Sequence, residues 1–199
     1  MQDKTITRDK LKGNTDQDKH ALLLVDLVTD FEFADGDRLY ENTLAVVDSL
    51  AGLKTKAKDA RVPVVYVNDN CGNWQEDFEH QVKRIHDTSK KGRQIIEKLK
   101  PDRDDYYVLK PQRSGFYETP LSFLLASLTV TKVIVAGITT DICVLFTAHD
   151  AYMRGFDVVV PTDGCAAVTV QYHREALSFL HRVAEAKLRS SDEITSSFV

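Results

Sequence analysis

Five stretches of the chain are continuously apolar and rich in β-branched residues, at positions 21–27, 62–67, 106–109, 132–136 and 157–160. Unbroken rather than alternating runs are expected of strands covered on both faces, the usual situation of central strands in a parallel sheet. Between the runs, apolar residues recur at helical spacing: Leu39, Leu44, Val47, Leu50 and Leu53; Leu121, Leu124, Leu125 and Leu128; Val144, Phe146, Ala148 and Tyr152; Ala176, Leu177, Leu180 and Val183. Gly155 is placed to end the third of these helices as a left-handed residue just past its last turn. Strand then helix, repeated, predicts an α/β fold: a doubly wound, mostly parallel sheet of five or six strands with helices on both faces, joined by right-handed crossovers. The sixth strand, at 186–189, rests on the shortest pattern.

Residues 71–100 are polar and mixed, with helical spacing around 76–85 and 94–99, and suit a lid or a subunit contact. Positions 1–18 and 190–199 carry few apolar residues, so one domain is expected over 19–194, flanked by a loose N-terminal segment (1–18) and a loose tail (195–199).

Composition narrows the function classes. A chain of 199 residues with 43% apolar side chains can bury one substantial core. Its formal charge of −4 is spread along the chain without a basic face, which argues against a nucleic-acid partner. No apolar run approaches the roughly 20 residues that cross a bilayer, and the polar start lacks the apolar stretch of a secretory signal. A cytoplasmic protein with no membrane association is expected. The three cysteines, Cys71, Cys143 and Cys165, are far apart and outside any metal-ligand spacing, so they are read as reduced thiols. The absence of Gly-x-Gly-x-x-Gly after the first strand argues against a dinucleotide cofactor.

Open α/β sheets bind ligands beyond the carboxyl ends of their strands. The residues at those ends are Asp26, Asp69, Lys110, the segment 137–143, and Asp163, so an acid, a cation and a thiol share one rim. Cys143 follows a tight strand-to-helix turn in which Thr139 or Thr140 is placed to cap the helix. A helix N-terminus and a nearby Lys110 would both favour the nucleophilic thiolate. Taken alone, a single cysteine is a small buried hydrophobe; its company on the rim reverses that reading. Asp26 interrupts an apolar run, where a carboxylate is costly unless paired, and burial there would raise its pKa toward that of a proton shuttle. Lys110 precedes Pro111, which holds its backbone extended.

Three blocks in order carry a family resemblance: Leu22-Leu23-Leu24-Val25-Asp26 with Phe31; Leu109-Lys110-Pro111 with Ser114, Phe116, Thr119, Pro120 and Leu121; and Val135 through Val144 leading into Ala148, Asp150, Ala151, Gly155 and Phe156. With Asp163-Gly164-Cys165-Ala166-Ala167, they make the chain resemble the isochorismatase-like cysteine hydrolases, which include nicotinamidases, N-carbamoylsarcosine amidases and biuret hydrolases. The resemblance implies a catalytic triad of Asp26, Lys110 and Cys143. It also implies a non-proline cis peptide between Ile138 and Thr139 that turns the Thr139 N–H, with the Cys143 N–H, into an oxyanion hole. The implied activity is hydrolysis of a C–N bond in a small amide, carbamoyl or ureide substrate through a thioester.

One departure matters. Nicotinamidases carry an Asp-x-His metal motif after the second strand, whereas this chain reads Asn68-Asp69-Asn70-Cys71, so no metal is assigned, although Asp69, His80 and His86 remain the residues that could be imagined to supply one. Phe31, Trp74, Phe116 and Tyr117 are candidate aromatic walls for a small planar substrate, and Arg113 is a candidate partner for a substrate carboxylate. The apolar pairs Phe116-Tyr117 and Tyr152-Met153, with the family resemblance, suggest a homo-oligomer. Two other readings stay open at this point: an ether hydrolase for which Cys143 is incidental, and a non-catalytic protein that uses Cys143 as an oxidisable thiol.

Overall fold

The computed structural model of the protein describes residues 19–198. In chain order its elements are β1 (His20–Val25), α1 (Gly36–Asp59), β2 (Val64–Asp69), α2 (Phe78–Thr88), α3 (Lys90–Lys98), β3 (Tyr106–Lys110), α4 (Leu121–Ser127) and β4 (Lys132–Ile138). A π-helical turn (Thr140–Val144) then runs into α5 (Leu145–Met153), followed by β5 (Asp157–Pro161), β6 (Cys165–Ala166), α6 (Val170–Val183), β7 (Lys187–Arg189) and α7 (Ser191–Thr195). The sheet is parallel, in the order β3-β2-β1-β4-β5-β7, with β6 paired to the far end of β4.

The continuous apolar runs have the origin expected of them. In β1, Leu22 and Leu24 enter one core, while Ala21, Leu23 and Val25 enter the other. The first core is closed by α1 through Leu39, Val47, Leu50 and Leu53, and by Ile85, Ile95 and Ile96 of α2 and α3. The second is closed by Leu121 and Leu125 of α4, Ala148 and Ala151 of α5, and Leu177 and Leu180 of α6. Both faces are therefore dry, the condition under which a strand need not alternate. Gly155, at φ 86°, follows α5 as the left-handed residue anticipated there.

Three expectations are corrected. The sheet has seven strands rather than five or six, because the two-residue β6 pairs Gly137 with Cys165 and Ile138 with Ala166, too short a segment to leave a periodicity. Residues 190–198 are not loose: Ser190 caps α7 in a reciprocal capping box with Glu193, Ile194 is buried, and Phe198 packs against the first core and 5.7 Å from the His20 ring. The segment 71–100 is a built part of the first face, through the buried side chains of α2 and α3, rather than a separate lid. The expected loose segment 1–18 lies outside the described residues, as does Val199. Among the described residues no helix is long and apolar enough to cross a membrane.

Candidate active site

From β1 the chain builds outward through β2 to β3, then returns so that β4 lies on the opposite side of β1. This reversal opens a crevice at the carboxyl ends of β1 and β4. Asp26 is the first residue after β1, Cys143 sits in the turn after β4, and Lys110 is the last residue of β3, two strands from β1. Lys110 is in register with Asp69 at the end of β2, so its side chain crosses that strand end toward the crevice. Its Nζ lies 3.0 Å from Asp26 Oδ2, 3.2 Å from Asp69 Oδ2 and 3.5 Å from Cys143 Sγ. The Asp26 carboxyl also accepts the Asp69 N–H at 2.7 Å and hydrogen-bonds the Cys143 thiol. Acid, cation and thiol thus meet at one point.

Several local features aim these groups. Asp26 adopts a positive φ of 51°, and its N–H donates to Val67 O at 3.0 Å, turning the chain sharply off the sheet. Buried Asn68 braces the turn: its Oδ1 accepts the Val28 N–H at 3.0 Å and its Nδ2 donates to Val28 O at 2.9 Å. Buried Gln81 of α2 donates to Asp69 O at 2.8 Å. Gly137, at φ 121°, runs so close to β1 that a Cβ there would lie 2.2 Å from Val25 O. The Ile138–Thr139 peptide is cis. In the π-helical turn, the Ile142 and Val144 N–H groups both donate to Thr139 O at 3.1 Å.

Contrary to expectation, neither threonine side chain makes a cap hydrogen bond, although Thr139 occupies the N-cap position of the turn. Thr140 Oγ1 instead shares a 2.8 Å hydrogen bond with His173 Nδ1 of α6, and buried Thr139 Oγ1 has no partner among the described residues. His173, whose ring also hydrogen-bonds the Thr162 backbone, ties the cysteine-bearing turn to α6 and to the segment after β5. Asp163, expected on the rim, accepts the Ser191 N–H and hydroxyl at 2.8 and 2.9 Å and anchors α7.

The electrostatics correct one sequence expectation. Cys143 is not poised as a thiolate: burial pushes its pKa well above that of an ordinary thiol, and Asp26 reinforces this, outweighing the attraction of Lys110. Burial likewise raises Asp26, although Lys110 and its other hydrogen bonds pull the other way. Lys110 is raised by its anionic neighbours, despite being wholly buried, and stays a cation. A thiol that holds its proton beside a carboxyl of heightened proton affinity is arranged for transfer during attack rather than before it. Cys165, fully enclosed with its pKa pushed up to about 12 and its Sγ 3.7 Å from Val135 O, is a core thiol.

Beside the triad lies a cavity of about 260 Å³. Cys143, Thr139 and Asp26 line one part of it, Val28, Phe33, Leu39, Ile138 and Ile142 form apolar wall, and Thr29, Asp30, Asn68, Asp69 and Cys71 complete it. Its size falls just below the roughly 300–1,000 Å³ of drug-sized ligand sites and suits a small molecule. None of the five side chains expected to bind substrate lines it. Phe31 is buried core, packed edge-on to Tyr40 and stacked 6.5 Å from Phe33. Phe116 is also core, beneath the Arg154 guanidinium at 5.0 Å, and so adds nothing to an apolar surface. Trp74, 76% exposed, and Tyr117 lie on the outside, and the exposed Arg113 sits 5.9 Å over the Phe146 ring. Phe33 is the aromatic at the cavity, two residues along from the one expected; 50% exposed, it gave no core pattern to read.

The family model of the isochorismatase domain matches residues 20–191. The chain belongs to the isochorismatase family. It is 37% identical over 174 residues to the uncharacterized isochorismatase family protein YaaI of Bacillus subtilis (strain 168), covering 87% of this chain and 95% of that one. Among solved structures it is similar to N-carbamoylsarcosine amidase from Thermoplasma acidophilum, with a TM-score of 0.67 and 28% identity over 87% of this chain and 97% of that one. It is also similar to the nicotinamidase SaPncA from Staphylococcus aureus, with a TM-score of 0.66 and 25% identity over 87% and 100% of the two chains.

The Asp-x-His metal motif of the nicotinamidase branch has no fitting donor set here around Asp69. That carboxylate is engaged by Lys110 and by the Cys71 N–H at 2.7 Å, and Cys71 stands where the motif's histidine would be. His80 and His86 lie on α2, with Nδ1 on Asp77 at 2.9 Å and on Asp87 at 3.2 Å. Among the described residues, the carboxylates close enough together to share an ion are Asp102, Asp104 and Asp105, which pair with Lys54 and Lys58.

Proposed function

We propose that this isochorismatase-family hydrolase uses Cys143 as a nucleophile to cleave the C–N bond of a small amide, carbamoyl or ureide compound through a thioester. The observation that carries the reading is the convergence of Lys110 Nζ on Asp26 and Cys143 at 3.0 and 3.5 Å, beside a cavity, at the sheet's point of reversal.

The chemistry follows from which group holds which proton. As Cys143 Sγ bonds to the substrate carbonyl carbon, Asp26 takes the thiol proton, and Lys110 stays positive beside both, offsetting the charge that moves from oxygen to sulfur. Negative charge then collects on the carbonyl oxygen, where the Thr139 and Cys143 N–H groups are the candidate donors; each such donor supplies about 3 kcal/mol of barrier lowering in comparable acyl transfers. Asp26 returns its proton to the nitrogen as the C–N bond breaks, releasing the amine and leaving the acyl group on sulfur. Water then attacks the thioester, Asp26 removes its proton, and the thiol is regenerated with that proton as the acid departs. One carboxyl serves both halves of the cycle because it gives up its proton at the end of each and is again a carboxylate, ready to act as base.

An ammonia-release screen over small primary amides, carbamoyl compounds and ureides tests the reading, with Cys143→Ser as the control. Turnover that drops by about 10³-fold or more in the variant is expected; undiminished release by Cys143→Ser would remove the thiol from the mechanism.

A further inference from the structure

We infer that the cavity beside Cys143 selects substrates whose far end is positively charged over neutral ones, and neutral over carboxylate-bearing ones, with Asp30 as the discriminating residue. The inference rests on the proposed function for the identity of the scissile bond, but its electrostatic content stands on the cavity itself.

The ionisable side chains lining the cavity are Asp26, Asp30, Asp69 and the thiols Cys71 and Cys143; among the described residues no lysine, arginine or histidine lines it. Lys110, behind the wall, is shared between Asp26 and Asp69, so one buried cation faces two carboxyls and Asp30 adds a third. The nearby surface cations are already engaged by acids. Arg84 holds Glu76 through two bonds of 2.7 and 2.8 Å, and Lys91 lies 2.6 Å from Asp37 and 3.6 Å from Glu32. Arg113, the residue expected to receive a substrate carboxylate, is absent from the lining. The effect is felt at a second thiol: Cys71 is raised by burial first and then by Asp69, Asp26 and Asp30 together, against the opposing charge of Arg84. Apolar walls at Val28, Phe33 and Leu39 keep the field of these carboxyls from being fully screened.

Asp30 is the group a substrate can most readily use. Asp26 and Asp69 are tied to Lys110, whereas the Asp30 side chain accepts the Glu32 N–H at 2.9 Å through Oδ1, forms no ion pair within 4 Å among the described residues and feels the Arg84 charge only from farther away. Asp30→Asn removes the charge and keeps that acceptor. An ammonium or guanidinium at the substrate's far end would meet Asp30, while a carboxylate would be repelled by it.

Two experiments separate this inference from the hydrolase reading. In the first, Cys143 of the intact chain is labelled with a cationic and an anionic methanethiosulfonate, and modification at Cys143 is located by peptide mass spectrometry. Rates are normalised to the same thiol in the urea-unfolded chain. A cation-over-anion preference on the order of tenfold is expected, falling at least about threefold in Asp30→Asn and unchanged in Asp59→Asn at the exposed end of α1. Equal rates, or a preference that Asp30→Asn leaves intact, would overturn the inference whatever the enzyme's reaction. The second compares kcat/KM across two matched sets: 4-aminobutanamide, pentanamide and succinamic acid; and (3-aminopropyl)urea, butylurea and 3-ureidopropanoate. The cationic member should lead each set that is turned over, and leadership by the carboxylate would overturn the inference. Activity that survives Cys143→Ser would instead defeat the thioester reading and leave the labelling result standing.

Discussion

Lys110→Met removes the charge at the centre of the triad while keeping most of the side-chain volume. In the native chain Lys110 is 0% exposed and its Nζ sits 3.0 Å from Asp26 Oδ2. Coulomb's law at that separation, with the effective dielectric constant of about 20 that serves buried sites, gives an attraction of roughly 5 kcal/mol. The second pair, at 3.2 Å to Asp69, counts for much less because that carboxylate is 41% exposed. Desolvation of Lys110 offsets part of the attraction, yet removing one partner leaves the other carboxyl buried and unneutralised, and such deletions cost about 3–5 kcal/mol. Equilibrium urea unfolding of the wild type, Lys110→Met, Asp26→Asn and the double variant would measure the cycle. Lys110→Met is expected to lose about 3–5 kcal/mol, and the double variant to lose less than the two singles together by at least about 2 kcal/mol. A loss under about 1 kcal/mol for Lys110→Met, or additive singles, would refute the claim that the pair is a coupled buried unit.

Other consequences are equally open to measurement. Because Asp26 is raised above its ordinary 3.8, kcat/KM should rise with pH along an acid limb lying above the usual carboxylate range, and Asp26→Asn should abolish that limb along with most of the activity. Between 3.8 and the native value the unfolded chain has released this proton while the folded chain keeps it. The stability contributed by Asp26 therefore declines as pH rises through that window, and the stability of wild type relative to Asp26→Asn should fall there. His173→Ala should cost about 1–2 kcal/mol and lower kcat more than it raises KM, because the ring fixes the turn that carries Cys143; His173→Asn, able to bond Thr140 Oγ1, should recover part of kcat. Gly137→Ala should destabilise by about 3 kcal/mol or more in thermal unfolding, because its Cβ meets Val25 O, whereas Gly52→Ala, with nothing within 4 Å in the middle of α1, should stabilise by about 0.5–1 kcal/mol.

Burial on both faces of the sheet made the strands legible, since it wrote continuous apolar runs such as Ala21-Leu22-Leu23-Leu24-Val25 into the chain. The same logic placed Asp26, Lys110 and Cys143 on one rim, because strand ends are where an apolar run must stop. What stayed hidden was set by tertiary contact rather than by period. The β6 strand exists because Gly137 and Ile138 leave partners for two residues, and α7 is held by a capping box and one buried isoleucine. Which aromatic lines the cavity was hidden for a related reason. Phe31 and Phe33 differ by two positions, and only the sharp turn after Asp26, with left-handed residues at 26, 31 and 35, decides which enters the core. Asn68 and Gln81 carry a signal of the turn that is legible in sequence: amide side chains in otherwise buried faces need partners, and theirs are the backbone around Asp26 and Asp69. The thiol's protonation was beyond sequence altogether, since it turns on whether burial and Asp26 outweigh Lys110 at a given distance.

The most direct test of the cysteine mechanism is mass spectrometry of the chain quenched in acid during turnover of an active amide or ureide. A covalent adduct on the peptide containing Cys143, heavier by the acyl group less one hydrogen and absent from Cys143→Ser, is the predicted result. Full-rate product formation by the Cys143→Ser chain, with no acyl group on any peptide, would contradict it.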